Sequence, residues 1–392
     1  MASGVRVRAS RRPLPAPSRA APARRVSGDG AAAARARVTA PRASDVASQT
    51  DVVDGRLVDD AGNVRVGIFA TPIREVNYRD YVLMNPFGRP AGRLARRFGF
   101  KQFQFLGALS EDLVFGCAIA DVRLVATAFL YCYEPATRRF AEWSFTQPLA
   151  RGSRFTQTPE AGACSFTARG VRIEMSADER SPRRRLVASV RDALAIDAVF
   201  REDDPPQEPL RICTYAGATG WVYARKTAGD RLSGTLAWAG RTYDLAALPI
   251  YGHHDWSAGY MRRQTFWNWG CLAGALADGR IVGMNVSCGV NETSFTESCF
   301  WLDGRLHKID SVAFTYDRRD LMRPWRVTSY DGRLDLEFRP EGAHAERINA
   351  LVVATNFNQL FGRYSGSLAT AAGERLTIDG MLGYMESHYA KW

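Results

Sequence analysis

The sequence predicts an all-β chain, folded as two antiparallel barrels in tandem behind a disordered N-terminal tail. Three observations carry the prediction: apolar segments are short and alternate with period two, Asp-Gly pairs separate them, and helical periodicity is scarce. In residues 283–291, Met284, Val286, Cys288 and Val290 share one face, while Asn285, Ser287, Gly289 and Asn291 share the other. Asp54-Gly55, Asp278-Gly279, Asp303-Gly304 and Asp331-Gly332 each lie between alternating segments. A type I′ hairpin turn needs positive φ at both central residues, which Asp-Gly tolerates, so these pairs are expected to form such turns. Ala239-Gly240, Gly170 and Ala372-Gly373 suggest further turns. Only residues 88–99, GRPAGRLARRFG, suggest a short helix, and 191–198 is ambiguous.

The tail comes first. Residues 1–50 hold ten arginines, no lysine, and only Asp29 and Asp45, so +8 of the formal +11 charge lies there and +3 in the rest. Rich in Ala, Arg, Pro and Ser and without an aromatic residue, this segment has too little apolar surface to offset the entropy of ordering. Ser10-Arg11-Arg12 resembles the start of a twin-arginine signal, but arginines at 19, 24, 25, 35 and 37 interrupt any apolar stretch. The composition fits an organelle transit peptide better, with an unstructured extension or a misassigned start as the plain alternative.

The nearly neutral remainder argues against a nucleic-acid partner, which would require a basic stripe on the folded surface. No apolar run approaches the ~20 residues of a transmembrane helix. The seven cysteines are odd in number and contain no Cys-x-x-Cys, which speaks against a disulfide framework and a structural zinc. A reducing, cytoplasmic setting is expected, and the sequons at Asn285 and Asn291 then carry no meaning. Nothing in the pattern sets an oligomeric state.

The break in strand-like sequence falls at REDDPPQEPL, residues 201–210, and places one barrel at 51–205 and the other at 206–392. Each length suits an up-and-down barrel. All five histidines (253, 254, 307, 344, 388) and eight of the nine tryptophans lie in the second half, so polar chemistry is expected there.

The densest stretch is YGHHDWSAGYMRRQTFWNWG, residues 251–270. If it is extended, His253 and Asp255 share a face opposite His254 and Trp256. Thr265, Trp267 and Trp269 likewise oppose Phe266 and Asn268. Carboxylates within aromatic strands are costly to bury unpaired, so they must find a partner, reach water or line a cavity. Three readings follow. In the first, Asp255 or Glu297 is a general acid or base in an aromatic cavity and His254 orients or relays the proton. Trp256, Tyr260, Trp267, Asn268, Trp269, Asn285 and Glu292 are then the ligand contacts. Tryptophan faces suit an apolar or polyene-like ligand because they stabilise developing positive charge. In the second, His253-x-Asp255 begins a two-histidine, one-carboxylate metal site completed by His307, His344 or His388. In the third, the acids and histidines pair with Arg262 and Arg263 at a barrel rim and the tryptophans are core.

The C-terminus is a second rich patch, in which Glu386 and His388 face the same way and can pair, while Trp392 anchors the chain end. No Gly-x-Ser-x-Gly elbow and no glycine-rich phosphate loop occurs. The reading is thus a protein that binds a hydrophobic small molecule without a cofactor or metal. It catalyses acid–base chemistry, with a non-catalytic lipid carrier as the alternative and a metal oxygenase behind both.

HHDWSAGYMRRQTFWNWGCLAGALADGRIVGMNVSCGVNETSFTES, FNQLFGRYSG and the closing GYMESHYAKW resemble the domain of unknown function 2804 family over most of the chain after the tail. That resemblance brings no activity with it. More distantly, Asp255-Trp256, Trp267-Asn268-Trp269 and Asp278-Gly279 resemble the carotenoid hydratase and AttH-like group. This second resemblance implies paired lipocalin-like barrels and, for some members, hydration or cyclisation of polyene lipids by proton transfer. His253-His254 lies outside that group's pattern.

Overall fold

The computed structural model describes residues 49–50, 52, 54–178, 180–290, 295–350 and 353–392. The tail expected over residues 1–50 lies almost wholly outside the described residues, as does Glu292. Among those described, the chain is nearly all β, with one helix at Arg93–Gly99 inside the segment expected to hold it. No helix there is long and apolar enough to cross a membrane.

Two curled sheets make up the fold. The first runs from an edge at Arg139–Pro148 through Val125–Glu134, Val114–Asp121, Phe100–Leu109, Tyr251–Tyr260 and Gly220–Trp238. It continues through Leu194–Arg201, Arg183–Val190, Val171–Asp178 and Gly162–Ala168 to Ser153–Phe155. Its two ends curl together, so that Phe145 near one edge meets Phe166 near the other at 6.4 Å. Leu106, Leu130, Ile173, Leu186 and Leu236 fill the interior with no exposure. Burying each such side chain contributes about 2 kcal/mol. The second sheet runs from Arg305–Lys308 through Cys299–Leu302, Ile281–Cys288, Gln264–Ala275, Arg375–Lys391, Val353–Ala369, Leu334–Ala350 and Trp325–Ser329 to Val312–Thr315. Pairing is antiparallel throughout these strands; the N-terminal Gln49–Thr50 adds a short parallel pairing.

The change of sheet falls between Tyr260 and Gln264, not at the proline-rich segment 201–210. The reason is the 19-residue strand Gly220–Trp238. Along one edge it pairs with Leu194–Arg201 through its C-terminal part and with Leu210–Ala216 through its N-terminal part. Prolines lack the N–H that a ladder requires, so 202–209 leaves the sheet. The chain then rejoins the same strand further along, and the interruption is a loop within one sheet.

The Asp-Gly turns divide into two kinds. Asp303-Gly304 has positive φ at both residues, as does Ala239-Gly240, giving the expected two-residue turns. At Asp54, Asp278 and Asp331 only the glycine is left-handed. There the aspartate carboxylate instead accepts from the backbone N–H two residues on, each at 3.1 Å. This is an Asx turn, which needs no positive φ at the aspartate.

Gly220–Trp238 also carries a β-bulge between Ala228 and Asp230, with Gly229 at φ 98°. The bulge inserts one residue and so exchanges the faces. Before it, Val222, Ala224, Lys226 and Ala228 face the second sheet; after it, Leu232, Leu236 and Trp238 fill the first barrel.

Candidate functional site

A cavity of about 580 Å³ lies between the sheets. Alternation sends Phe103 and Phe105 into it from one strand, and Asp255 and Ser257 from the next. Val222 and Lys226 enter from the strand beyond. Trp267, Trp269, Phe357, Glu386, His388 and Trp392 close the opposite side. The tryptophan-walled hollow expected in the C-terminal half is therefore shared by both sheets. Segment 251–270 is dense because its strands carry the passage from one sheet to the other and are buried on both faces.

Lys226 sits at the centre of the polar wall. Its Nζ donates to Asp255 Oδ2 and to Glu297 Oε1, each at 2.8 Å. Ser257 Oγ donates to Asp255 Oδ1 at 2.9 Å. Burial opposes charge on Lys226, but the two carboxylates outweigh it and raise its pKa. Burial likewise pushes both acids up. The Lys226 ammonium reverses this at Glu297, with help from the Ser287 hydroxyl, and holds it below its ordinary value. Asp255 ends above its ordinary value, because the Glu297 charge adds to burial. Of the two acids on one lysine, Asp255 is thus the one that takes a proton first.

Glu386 is enclosed by protein but open to the cavity. Trp267 Nε1 donates to Oε2 at 3.1 Å and Gln359 Nε2 to Oε1 at 2.6 Å. Burial still raises its pKa to about 7 against these donors, and the Asp255 charge adds to the rise. His388 faces the same cavity, as expected, but does not pair with Glu386; it shares a 2.8 Å hydrogen bond with Thr355. Burial lowers its pKa to about 3, so it is neutral.

The structure separates the other expected site residues. His254 lies across the sheet from Asp255, 3.2 Å from Gln104 Nε2 and 3.4 Å from Arg225 Nη1. It belongs to a buried ion network in which Glu202 bridges Arg184 and Arg225, and it does not reach the cavity. Trp256 packs on Tyr223 and Tyr260 on Phe100, both in the core beyond the first sheet. Asn268 turns away to Tyr316 Oη and the Glu386 carbonyl. Asn285 stands behind the wall and ties it together: its Oδ1 accepts from Trp269 Nε1 at 2.7 Å and its Nδ2 donates to the Glu297 carbonyl at 2.9 Å. Trp267 and Trp269 do line the cavity.

The proposed metal ligands do not converge. His307 stacks on Phe300, His344 meets Glu142, and His388 meets Thr355. The His253 ring sits among Phe105, Trp269 and Tyr384, with burial lowering its pKa to about 3. Gly107 makes room for this ring, since a Cβ there would stand 2.6 Å from it. Among the described residues no three His, Cys, Asp or Glu side chains form a metal cluster. Arg262, expected to pair with the acids, donates to the Gly289 carbonyl instead. Lys226 takes that role, and sequence reasoning missed it. The signal was present in YARKTAGD, where charges interrupt an aromatic strand and therefore require partners.

Residues 47–392 match the family described as "Domain of unknown function (DUF2804)". No curated protein matches the chain. Solved structures similar to it include kievitone hydratase from Nectria haematococca, at 8% identity and TM-score 0.45, covering 74% of this chain and 88% of that one. A protein described as a putative AttH from Nitrosomonas europaea is similar at 13% identity and TM-score 0.41, over 74% and 92%. CghA is similar at 11% identity and TM-score 0.49, over 74% and 87%.

Proposed function

The chain belongs to the domain of unknown function 2804 family, and we propose that it binds a lipid- or isoprenoid-like small molecule between its sheets and acts on it by cofactor-free proton transfer. One observation carries this reading: a cavity of ligand size has apolar and aromatic walls, yet Lys226, Asp255, Glu297 and Glu386 all open onto it. Two carboxyl groups there differ in environment, which is the arrangement acid–base chemistry requires. Glu386, near half-protonated at neutral pH, is the acid that delivers a proton to the ligand. Asp255, on Lys226, is the base that takes one away, and Glu297 keeps the lysine charged and in place. The faces of Trp267 and Trp269 stabilise positive charge developing on carbon. A cytoplasmic, reducing setting fits seven cysteines that are odd in number and contain no Cys-x-x-Cys.

A carrier role is the second reading, favoured by one observation: Lys226 engages both Asp255 and Glu297, an arrangement that also serves structure alone. Native mass spectrometry of the purified protein identifies a co-purified ligand. Incubation with a lipid panel then separates the readings. Product formed by the wild type and lost in Glu386→Gln and Asp255→Asn supports proton transfer, and product surviving both substitutions rejects it. Binding without turnover across the panel makes the protein a carrier.

A further inference from the structure

We propose that a second cleft, walled by Tyr78, Arg79, Arg96, Arg97, Arg123 and Tyr260, binds a phosphate group. The cleft encloses about 450 Å³ and is independent of the cavity described above. Five separate segments build it: the loop at 78–79, the helix Arg93–Gly99, the turn at 122–125, the turn at 149–150 and the end of strand Tyr251–Tyr260. In the turn at 122–125 the two sites alternate, Val122 and Leu124 lining the large cavity and Arg123 the cleft.

Four arginines wall the cleft, and its walls hold no carboxylate among the described residues. Arg79 Nε and Arg123 Nη2 both donate to Tyr78 Oη, at 3.4 and 3.3 Å, so two positive charges meet at one hydroxyl. Arg96 Nη2 is held by the Arg79 carbonyl at 2.8 Å. Asp121 offsets Arg123 from behind at 3.5 Å. Elsewhere on this surface arginines meet carboxylates directly, as in Arg185–Asp197, Arg326–Asp335 and Arg363–Glu111. Among the described residues Arg79, Arg96 and Arg97 meet no carboxylate, and like charges held together this way are relieved by an anion. Planar forks of N–H donors match phosphate oxygens in pairs, and the Tyr260 hydroxyl, its pKa pushed up to about 12 by burial, adds a neutral donor. Leu149 in the cleft wall is 61% exposed, an apolar surface that suits a phosphate carried by a lipid as well as a free one.

The test is calorimetric titration of the full chain with inorganic phosphate and with pyrophosphate, beside co-sedimentation with phosphatidylcholine vesicles with and without phosphatidic acid. Saturable binding in at least one arm is expected, and the arm identifies a soluble phosphate or a lipid headgroup. Arg79→Gln and Arg97→Gln, both exposed positions, weaken it about tenfold each, the loss expected for one charge-assisted contact. Arg97→Lys restores only part of it, because a point charge lacks the fork. Arg326→Gln, which removes the same charge at a paired surface site, leaves binding unchanged. No binding in any arm, or equal loss in Arg79→Gln and Arg326→Gln, overturns the proposal.

Discussion

Glu386 and Lys226 carry opposite consequences of burial. Glu386 titrates at about 7 in the folded chain, above the ordinary value of 4.5, so its neutral form is the one the fold prefers. The stability this gives is complete below about pH 4.5 and is lost as pH rises through about 7. Glu386→Gln is therefore expected to leave stability unchanged below about pH 4.5 and to raise it above neutrality by on the order of 3 kcal/mol. Thermal unfolding followed across that window checks the sign. If Glu386 is the proton donor, turnover in the wild type falls as pH rises through 7. Lys226→Met takes the bound ammonium from the buried Asp255 and Glu297 carboxylates, at a cost of about 3 kcal/mol at neutral pH. Both acids then have raised pKa values in the folded state, so the deficit narrows as pH falls. A deficit independent of pH would show that Lys226 acts through packing alone.

Among the elements, the strand Gly220–Trp238 does the most to place the site. Its bulge at Gly229 exchanges faces, which puts Lys226 in the cavity while Asp230 bonds Thr227 on the opposite face. Next to the bulge the second sheet makes a close approach: a Cβ on Gly283 would lie 2.2 Å from the Ala228 carbonyl oxygen. Gly283→Ala is expected to push the sheets apart and cost roughly 1–3 kcal/mol, read as a lowered midpoint in urea. The alternation that places Asp255 opposite His254 was legible in the sequence, since it follows from strand geometry alone. The bulge was not, because a lone glycine within a strand pattern has the same appearance whether it bends the ladder or not.

At the scale of the whole molecule, the chain is divided by pairing and not by composition. Strand Tyr251–Tyr260 lies between Phe100–Leu109 and Gly220–Trp238, so the first sheet needs residues from both sides of the 201–210 loop. Residues 206–392 expressed alone would leave Tyr251–Tyr260 as a bare edge and are expected to aggregate, whereas the intact chain elutes as a defined species in size-exclusion chromatography. A well-folded 206–392 fragment would refute this account of the sheet boundary. The two sheets depend on each other in the same way: Tyr384, from the second, reaches the carbonyls of Ala108 and Phe115 in the first, at 3.3 and 3.2 Å.

By itself the sequence determined the fold class, the faces of its strands, the short helix and the concentration of aromatic and ionisable groups near residues 251–302. These follow from local geometry: a period of two, turn chemistry and the cost of burying charge. Only the tertiary structure decided which charges meet and which face becomes the cavity. Lys226 finds Glu297 at a separation of 71 residues and Glu386 finds Trp267 at 119, and no local pattern specifies a partner that far along the chain.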